Sequence, residues 1–223
     1  SPTIERLMND YALGATKDGC IIYWQIDING KARTGKIMRY NPETGHRVKD
    51  AGGINWVHSI LKKKKLLPDN FNLVQCLFGE QLLKMYPKKP VALVESEKSA
   101  LIASGVYPEY IWLATGGKSQ LSIEKMKVLH GRTVLAFPDV DGFDYWKDKA
   151  KELESIGCNV LVSDILEKNA TDQDRTNKID LADWLIRDLM TDCRPAPNTL
   201  DTLLGINPVL KSLIETFDLK LIA

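Results

Sequence analysis

The sequence predicts an α/β fold: an open, mostly parallel sheet with flanking helices, preceded by a small α+β subdomain. Three observations carry this. Between residues 88 and 192 short apolar runs alternate with stretches of helical spacing, the pattern of repeated β-α units whose strands lie parallel. Two of those runs end on carboxylates: Val91-Ala92-Leu93-Val94-Glu95-Ser96-Glu97 and Thr133-Val134-Leu135-Ala136-Phe137-Pro138-Asp139-Val140-Asp141. The segment before them, residues 1–87, carries a hairpin signal instead, Asn29-Gly30 between two strand-like runs.

The elements follow in order. Thr3 to Asp10 reads as an opening helix. Cys20 to Ile28 alternates partially, and Ala32 to Tyr40 is its return strand across Asn29-Gly30. Asn41-Pro42-Glu43-Thr44-Gly45 makes a further turn into His46 to Lys49. Trp56 to Lys65 and Leu77 to Met85 have helical spacing, and Pro87 and Pro90 close the first region. Then come strand Val91 to Val94, helix Lys98 to Ser104, strand Tyr110 to Ala114 with its Thr115-Gly116-Gly117 turn, and helix Ser122 to Leu129. Strand Thr133 to Phe137, helix Tyr145 to Ser155, strand Asn159 to Ser163, an acidic loop and helix Leu181 to Met190 complete the second region, residues 88–192. Residues 193–223 read as a linker, Arg194-Pro195-Ala196-Pro197, and a C-terminal helix opened by Asn207-Pro208.

Composition narrows the function classes. A chain of 223 residues holds one large domain or two small ones, and 44% apolar residues argue against disorder. No apolar run approaches the roughly 18–20 residues of a membrane span, no signal-peptide pattern opens the chain, and no membrane partner is expected. Cys20, Cys76, Cys158 and Cys193 form no CxxC pair, which argues against a zinc ribbon and for reduced thiols in a cytoplasmic protein. The Ser1-Pro2 start lacks a methionine, which leaves room for flanking domains. The net charge of +1 hides an uneven distribution. Lys31 to Lys65 has ten bases against two acids, or +8, and Asp139 to Asp192 has fourteen acids against seven bases, or −7. A basic segment beside an acidic one suits a protein that holds a polyanion while a metal works on it. The plainer reading of Lys62 to Lys65 is a solvated helix end.

Ligands of parallel sheets bind at the carboxyl ends of the strands, so Glu95 and the Asp139/Asp141 pair are expected side by side. Clustered carboxylates repel one another and are tolerated where a cation joins them.

The same residues carry a resemblance. Val91 to Ala100 resembles the first motif of the Toprim domain, an apolar strand ending in a glutamate, here Glu95. Thr115-Gly116-Gly117 falls at that family's glycine turn, and Phe137-Pro138-Asp139-Val140-Asp141 is similar to its strand ending in Asp-x-Asp. Lys178-Ile179-Asp180-Leu181-Ala182-Asp183 resembles a later acidic element of bacterial DnaG-like primases. Arg39-Tyr40-Asn41-Pro42-Glu43-Thr44 is similar to their phosphate-binding stretch, and Cys76-Leu77-Phe78-Gly79-Glu80 falls where primases carry Leu-Tyr-Gly. The sequence departs at Ser96, where the family has glycine, at Ser99, where it has an acid, and at Gly142-Phe143-Asp144, where Ala-Gly is common.

The resemblance implies a Toprim-like fold and primase-like nucleotidyl transfer dependent on Mg2+ or Mn2+. It implies Glu95 as catalytic acid/base or ligand, and Asp139, Asp141, Asp180 and Asp183 as metal ligands. Arg33, Lys36, Arg39, Tyr40, Asn41, Lys98 and Lys118 would hold phosphate. Single-stranded DNA and nucleotides are the implied partners, with a helicase or other replication protein beside them. Three alternatives stand: a Toprim nuclease, a non-catalytic nucleic-acid-binding module of a replication or mobile-element protein, and a phosphatase. For the last, Asp139-Val140-Asp141-Gly142 resembles the nucleophile motif of haloacid-dehalogenase-type enzymes, with Ser163, Lys168 and Asp180/Asp183 following.

Overall fold

The computed structural model describes residues 1–49 and 53–192, which contain an antiparallel and a parallel sheet of four strands each. Helix α1 (Pro2–Asp10) opens the chain with proline in its first turn, where an absent N–H costs no helical hydrogen bond. Strands β1 (Gly14–Ala15), β2 (Ile21–Ile26), β3 (Ala32–Met38) and β4 (Ile54–Trp56) form the antiparallel sheet in that order. The Asn29-Gly30 turn joins β2 to β3 as expected, and Asp27 organises it. Its Oδ1 accepts from the N–H groups of Asn29 and Lys31, both at 2.9 Å.

Two helices of the first region differ from the sequence expectation, and the helix expected over Ser122 to Leu129 is α-helical only from Ile123 to Met126. The helix read from Trp56 begins one residue later, as α2 (Val57–Lys63), because Trp56 is extended (φ −132°) and pairs with Lys36 of β3. Leu77 to Met85 is helical only in α3 (Leu82–Met85). Phe78 is drawn instead into a β-bridge with Ala114, exchanging N–H···O bonds of 3.0 and 3.1 Å.

The second region matches the β-α reading closely. In chain order it comprises β5 (Val91–Val94), α4 (Glu97–Val106), β6 (Ile111–Ala114), α5 (Ile123–Met126), β7 (Thr133–Phe137), α6 (Phe143–Glu154) and β8 (Asn159–Val162). The strands lie in the order β6-β5-β7-β8 and every neighbouring pair is parallel. Central β5 is buried along its whole length, which is why it reads as an unbroken apolar run. The acidic loop after β8 contains two short helices, α7 (Ile165–Asn169) and α8 (Asp172–Asn177), and then α9 (Leu181–Asp192) follows.

Residues 1–185 pack as one compact unit, and a second unit begins at Ile186. Within the first unit a continuous core joins the two sheets. Tyr11 donates its hydroxyl to the Trp112 carbonyl at 2.8 Å and stacks on Phe78 at 5.0 Å, and Tyr23 meets the same Phe78 ring edge-on at 5.6 Å. Cys20, Cys76 and Cys158 are buried free thiols, and burial pushes Cys76 up to about 12. Among the described residues no helix is long and apolar enough to cross a membrane. Cys193, the linker at Arg194-Pro195-Ala196-Pro197 and the helix expected at Asn207-Pro208 lie outside the described residues.

Candidate active site

The site is built by register. Val94 of β5 sits opposite Phe137 of β7 and Ala114 of β6, so the residues just past these strand ends gather at one edge of the sheet. Glu95 follows Val94, Asp139 follows Phe137-Pro138, and the Asp139 N–H donates to Glu95 Oε1 at 3.2 Å. On the other flank the Gly116 N–H donates to the Glu95 carbonyl at 2.9 Å. Gly116 and Gly117 hold φ of 92° and 148°, a path that side-chain-bearing residues strongly resist. Gly142 is needed for space instead. A Cβ there would lie 2.6 Å from Glu95 Oε1, 3.0 Å from Pro138 Cβ and 3.1 Å from the Asp139 carbonyl oxygen. The Ser96 and Ser99 departures also have a local role: Ser96 caps α4, accepting from the Ser99 N–H at 3.1 Å, and the two hydroxyls meet at 2.8 Å.

The acidic element before α9 completes the group. The Val140 N–H donates to the Ile179 carbonyl at 3.3 Å, which holds Asp180 beside the β7 end. Asp180 and Asp183 cap the helix reciprocally, with Asp180 Oδ1 accepting from the Asp183 N–H at 2.9 Å and Asp183 Oδ2 from the Asp180 N–H at 3.4 Å. Their charges are met by Lys98, whose Nζ lies 3.0 Å from Asp183 Oδ1 and 3.4 Å from Asp180 Oδ2. Asp141 is met by Lys118, at 3.6 Å from its Oδ1, and by Lys178, at 3.3 Å from its Oδ2.

Electrostatics mark Asp139 as the strained member. Burial first, then the charges of Glu95, Asp180, Asp141 and Asp183, push its carboxyl up to about 8. Glu95 is buried and also raised, by burial and then by Asp141 and Asp180, against the lowering effects of the Asp139 N–H and Lys118. Burial alone would lower Lys98, but Asp180 and Asp183 outweigh it and hold the ammonium charged.

Of the residues expected from sequence, the fold brings Glu95, Asp139, Asp141, Asp180, Asp183, Lys98 and Lys118 into one neighbourhood. Those of the basic segment have partners nearer home. Arg33 pairs with Asp27 at 2.6 Å, Arg39 with Asp18, and Asn41 Oδ1 accepts from the Glu43 and Thr44 N–H groups of its own turn. The Tyr40 hydroxyl accepts from the Tyr23 hydroxyl at 3.2 Å, and burial, Glu97 and Asp180 raise its pKa against the lowering effects of that bond and of Lys98. Lys36 reaches across from β3 to Glu97 Oε2 at 2.9 Å and the Gly116 carbonyl at 3.4 Å. Sequence reasoning assigns no role to Glu97, although its place in the first turn of α4 directly after Glu95 is a signal. The buried pair holds β3 against the glycine turn. Lys178 likewise enters the sequence reading only as part of a resemblance.

Among the described residues no group of three or more His, Cys, Asp or Glu side chains stands ready-made to hold a metal ion. Mg2+ usually takes one or two carboxylates, with waters and substrate phosphates completing its shell. The donors here are all carboxylate oxygens, and Asp139 is raised first by burial and then by its four carboxylate neighbours. Carboxylate oxygens are the donor type that a hard divalent cation takes.

An open parallel α/β sheet with a carboxylate cluster at its carboxyl edge is the class that fold and site define. The chain belongs to the family described as "Domain of unknown function (DUF6371)", whose model matches residues 1–140 and so takes in Glu95, the glycine turn and Asp139. No curated protein matches the chain. Among solved structures it is similar to the zinc-binding and RNA polymerase domains of the Aquifex aeolicus primase. That match is 18% identical with a TM-score of 0.49, covering 93% of this chain and half (50%) of that one. The primase fragment of the bacteriophage T7 primase-helicase is 13% identical with a TM-score of 0.42, covering 78% of this chain and 69% of that one. A Pseudomonas aeruginosa DNA primase domain is 13% identical with a TM-score of 0.39, covering 99% and 78%.

Proposed function

We propose that this protein is a Toprim-type enzyme that carries out metal-dependent nucleotidyl or phosphoryl transfer on nucleic acid, with primase-like activity. The observation that carries the reading is the meeting of Glu95 and Asp139 at the ends of adjacent parallel strands, where burial and then the charges of Glu95, Asp180, Asp141 and Asp183 raise Asp139 to about 8. A fold gains nothing in stability from such repulsion, and perturbed carboxylates in one cluster are a mark of functional sites. The Toprim and primase motifs quoted above support the same assignment.

Bound Mg2+ or Mn2+, held by Asp139 with Asp141, Asp180 and Asp183 as further oxygen donors, would neutralise phosphate charge during transfer. Glu95 Oε1 is engaged by the Asp139 N–H, so Oε2 is the oxygen at which Glu95 exchanges a proton as general acid/base. Lys98 and Lys118 exchange their carboxylate partners for substrate phosphate. Single-stranded DNA and nucleotides are the substrates. A cytoplasmic setting fits the three buried free thiols, and a helicase or other replication protein is the natural partner of such an activity.

A second reading is a non-catalytic nucleic-acid-binding module. Lys98, Lys118 and Lys178 already compensate the acids, and Ser99 stands where the family motif has a carboxylate. One assay separates the two: synthesis and cleavage on the same single-stranded DNA with Mg2+ or Mn2+, for the wild type and Asp139→Asn. Dinucleotide synthesis abolished by the substitution supports primase-like transfer, and strand cleavage instead assigns a nuclease. DNA binding without turnover in both proteins overturns the enzymatic reading.

A further inference from the structure

Beside the acid cluster, on the far side of the glycine turn, lies a second feature that phosphoryl transfer does not use. A hollow of about 130 Å³, open at one side, is bordered by Gln25, Trp56, Gln75, Gln120, Lys125 and the Thr115-Gly116 turn. Its polar groups are unusual for a packing defect. Gln25 is 2% exposed, and its Oε1 is buried without a hydrogen-bond partner. Such an orphan costs about 1–3 kcal/mol unless a ligand or water satisfies it. Lys125 is 8% exposed, and its Nζ donates to the Thr115 carbonyl at 3.0 Å and to Gln120 Oε1 at 3.1 Å. An ammonium has three hydrogens, so one remains beyond these two bonds.

We propose that this hollow binds a pyrimidine base of the nucleic-acid substrate. The size favours a single ring, since a closed cavity of about 150 Å³ holds benzene and this slightly smaller hollow is open at one side, where the rest of the ring extends. The lining favours a neutral, edge-bonding heterocycle. Gln25, Gln75 and Gln120 border the hollow, and side-chain amides offer both donors and acceptors, as a pyrimidine edge requires. Lys125 supplies a donor suited to a ring carbonyl, and Trp56 supplies an aromatic surface of the kind on which bases stack. Phosphate is disfavoured, because the lining holds one cation with two of its hydrogens committed and no arginine. The Gly116 N–H that bonds the Glu95 carbonyl places the hollow next to the strand end that carries the acids. The inference rests on the nucleic-acid reading for its ligand class, but not on catalysis.

The test is protein-observed NMR of the full chain, titrated with thymidine 5′-monophosphate, deoxyadenosine 5′-monophosphate or deoxyribose 5-phosphate. The Trp56 indole and the Gln25 and Gln75 side-chain amides should shift with the thymidine nucleotide and remain still with the sugar phosphate. Gln25→Leu should weaken binding about tenfold, and Gln75→Ala, at a half-buried position that does not threaten folding, severalfold. Equal responses to all three compounds, or unchanged affinity in both variants, overturns the pocket. Glu95→Gln keeps the base-dependent shifts while losing turnover, so failure of the catalytic reading and failure of the pocket give different results.

Discussion

Asp139→Asn is predicted to stabilise the metal-free protein at alkaline pH while destroying its proposed role. The substitution keeps the shape of the side chain and removes a charge that its surroundings oppose. The carboxyl is pushed from 3.8 to about 8 by burial and by four neighbouring carboxylates. At about 1.4 kcal/mol per pKa unit the full shift would correspond to roughly 5–6 kcal/mol. Solvent access and the shared titration of the cluster reduce this to about 1–3 kcal/mol. The sign follows from linkage. A carboxyl raised in the folded state keeps its proton longer than in the unfolded chain, so folding stability falls as pH rises from about 4 to about 8 and then levels. An amide at this position does not titrate and lacks that window. Urea unfolding with a chelator present, at about pH 5 and about pH 9, should therefore show the variant gaining about 1–3 kcal/mol on the wild type between the two. Parallel pH dependence in both proteins would refute the argument that Asp139 bears the repulsion.

Other predictions follow from single contacts. Gly142→Ala puts a methyl 2.6 Å from Glu95 Oε1 without backbone strain, since φ there is −103°. It should cost about 1–3 kcal/mol in denaturant unfolding and weaken Mn2+ binding, and an unchanged affinity would mean that Glu95 is not held by that approach. Lys36→Met leaves Glu97 buried at 2% exposure without its ammonium and should cost about 3–5 kcal/mol. A Lys36→Met/Glu97→Leu double variant should recover most of that loss, and a double variant as unstable as the single would place the cost in packing instead.

Much of this fold was legible because its strands are short, apolar and sharply bounded. Val91–Val94 and Thr133–Phe137 coincide with their predicted limits: the first is buried on both faces and needs an unbroken apolar run, and both end just before carboxylates begin. The acids past those ends were legible for the same reason. What escaped were features decided by partners distant in sequence. Phe78 leaves a helical pattern because it bridges to Ala114, and Trp56 leaves one because Lys36 pairs with it. Lys36 itself sits in a run of bases that reads as a polyanion-binding surface, yet it is buried because Glu97 meets it from the first turn of α4. The hollow beside Gln25 and Lys125 draws on four separate segments and has no local signature at all.

The central claim is that the carboxylates past β5 and β7 form one cation site. The most direct measurement is a Mn2+ titration, by isothermal calorimetry, of the wild type, Glu95→Gln and Asp139→Asn. The wild type is predicted to bind, with each substitution weakening binding by at least about tenfold. Equal binding by all three proteins, or none by the wild type, would contradict the account.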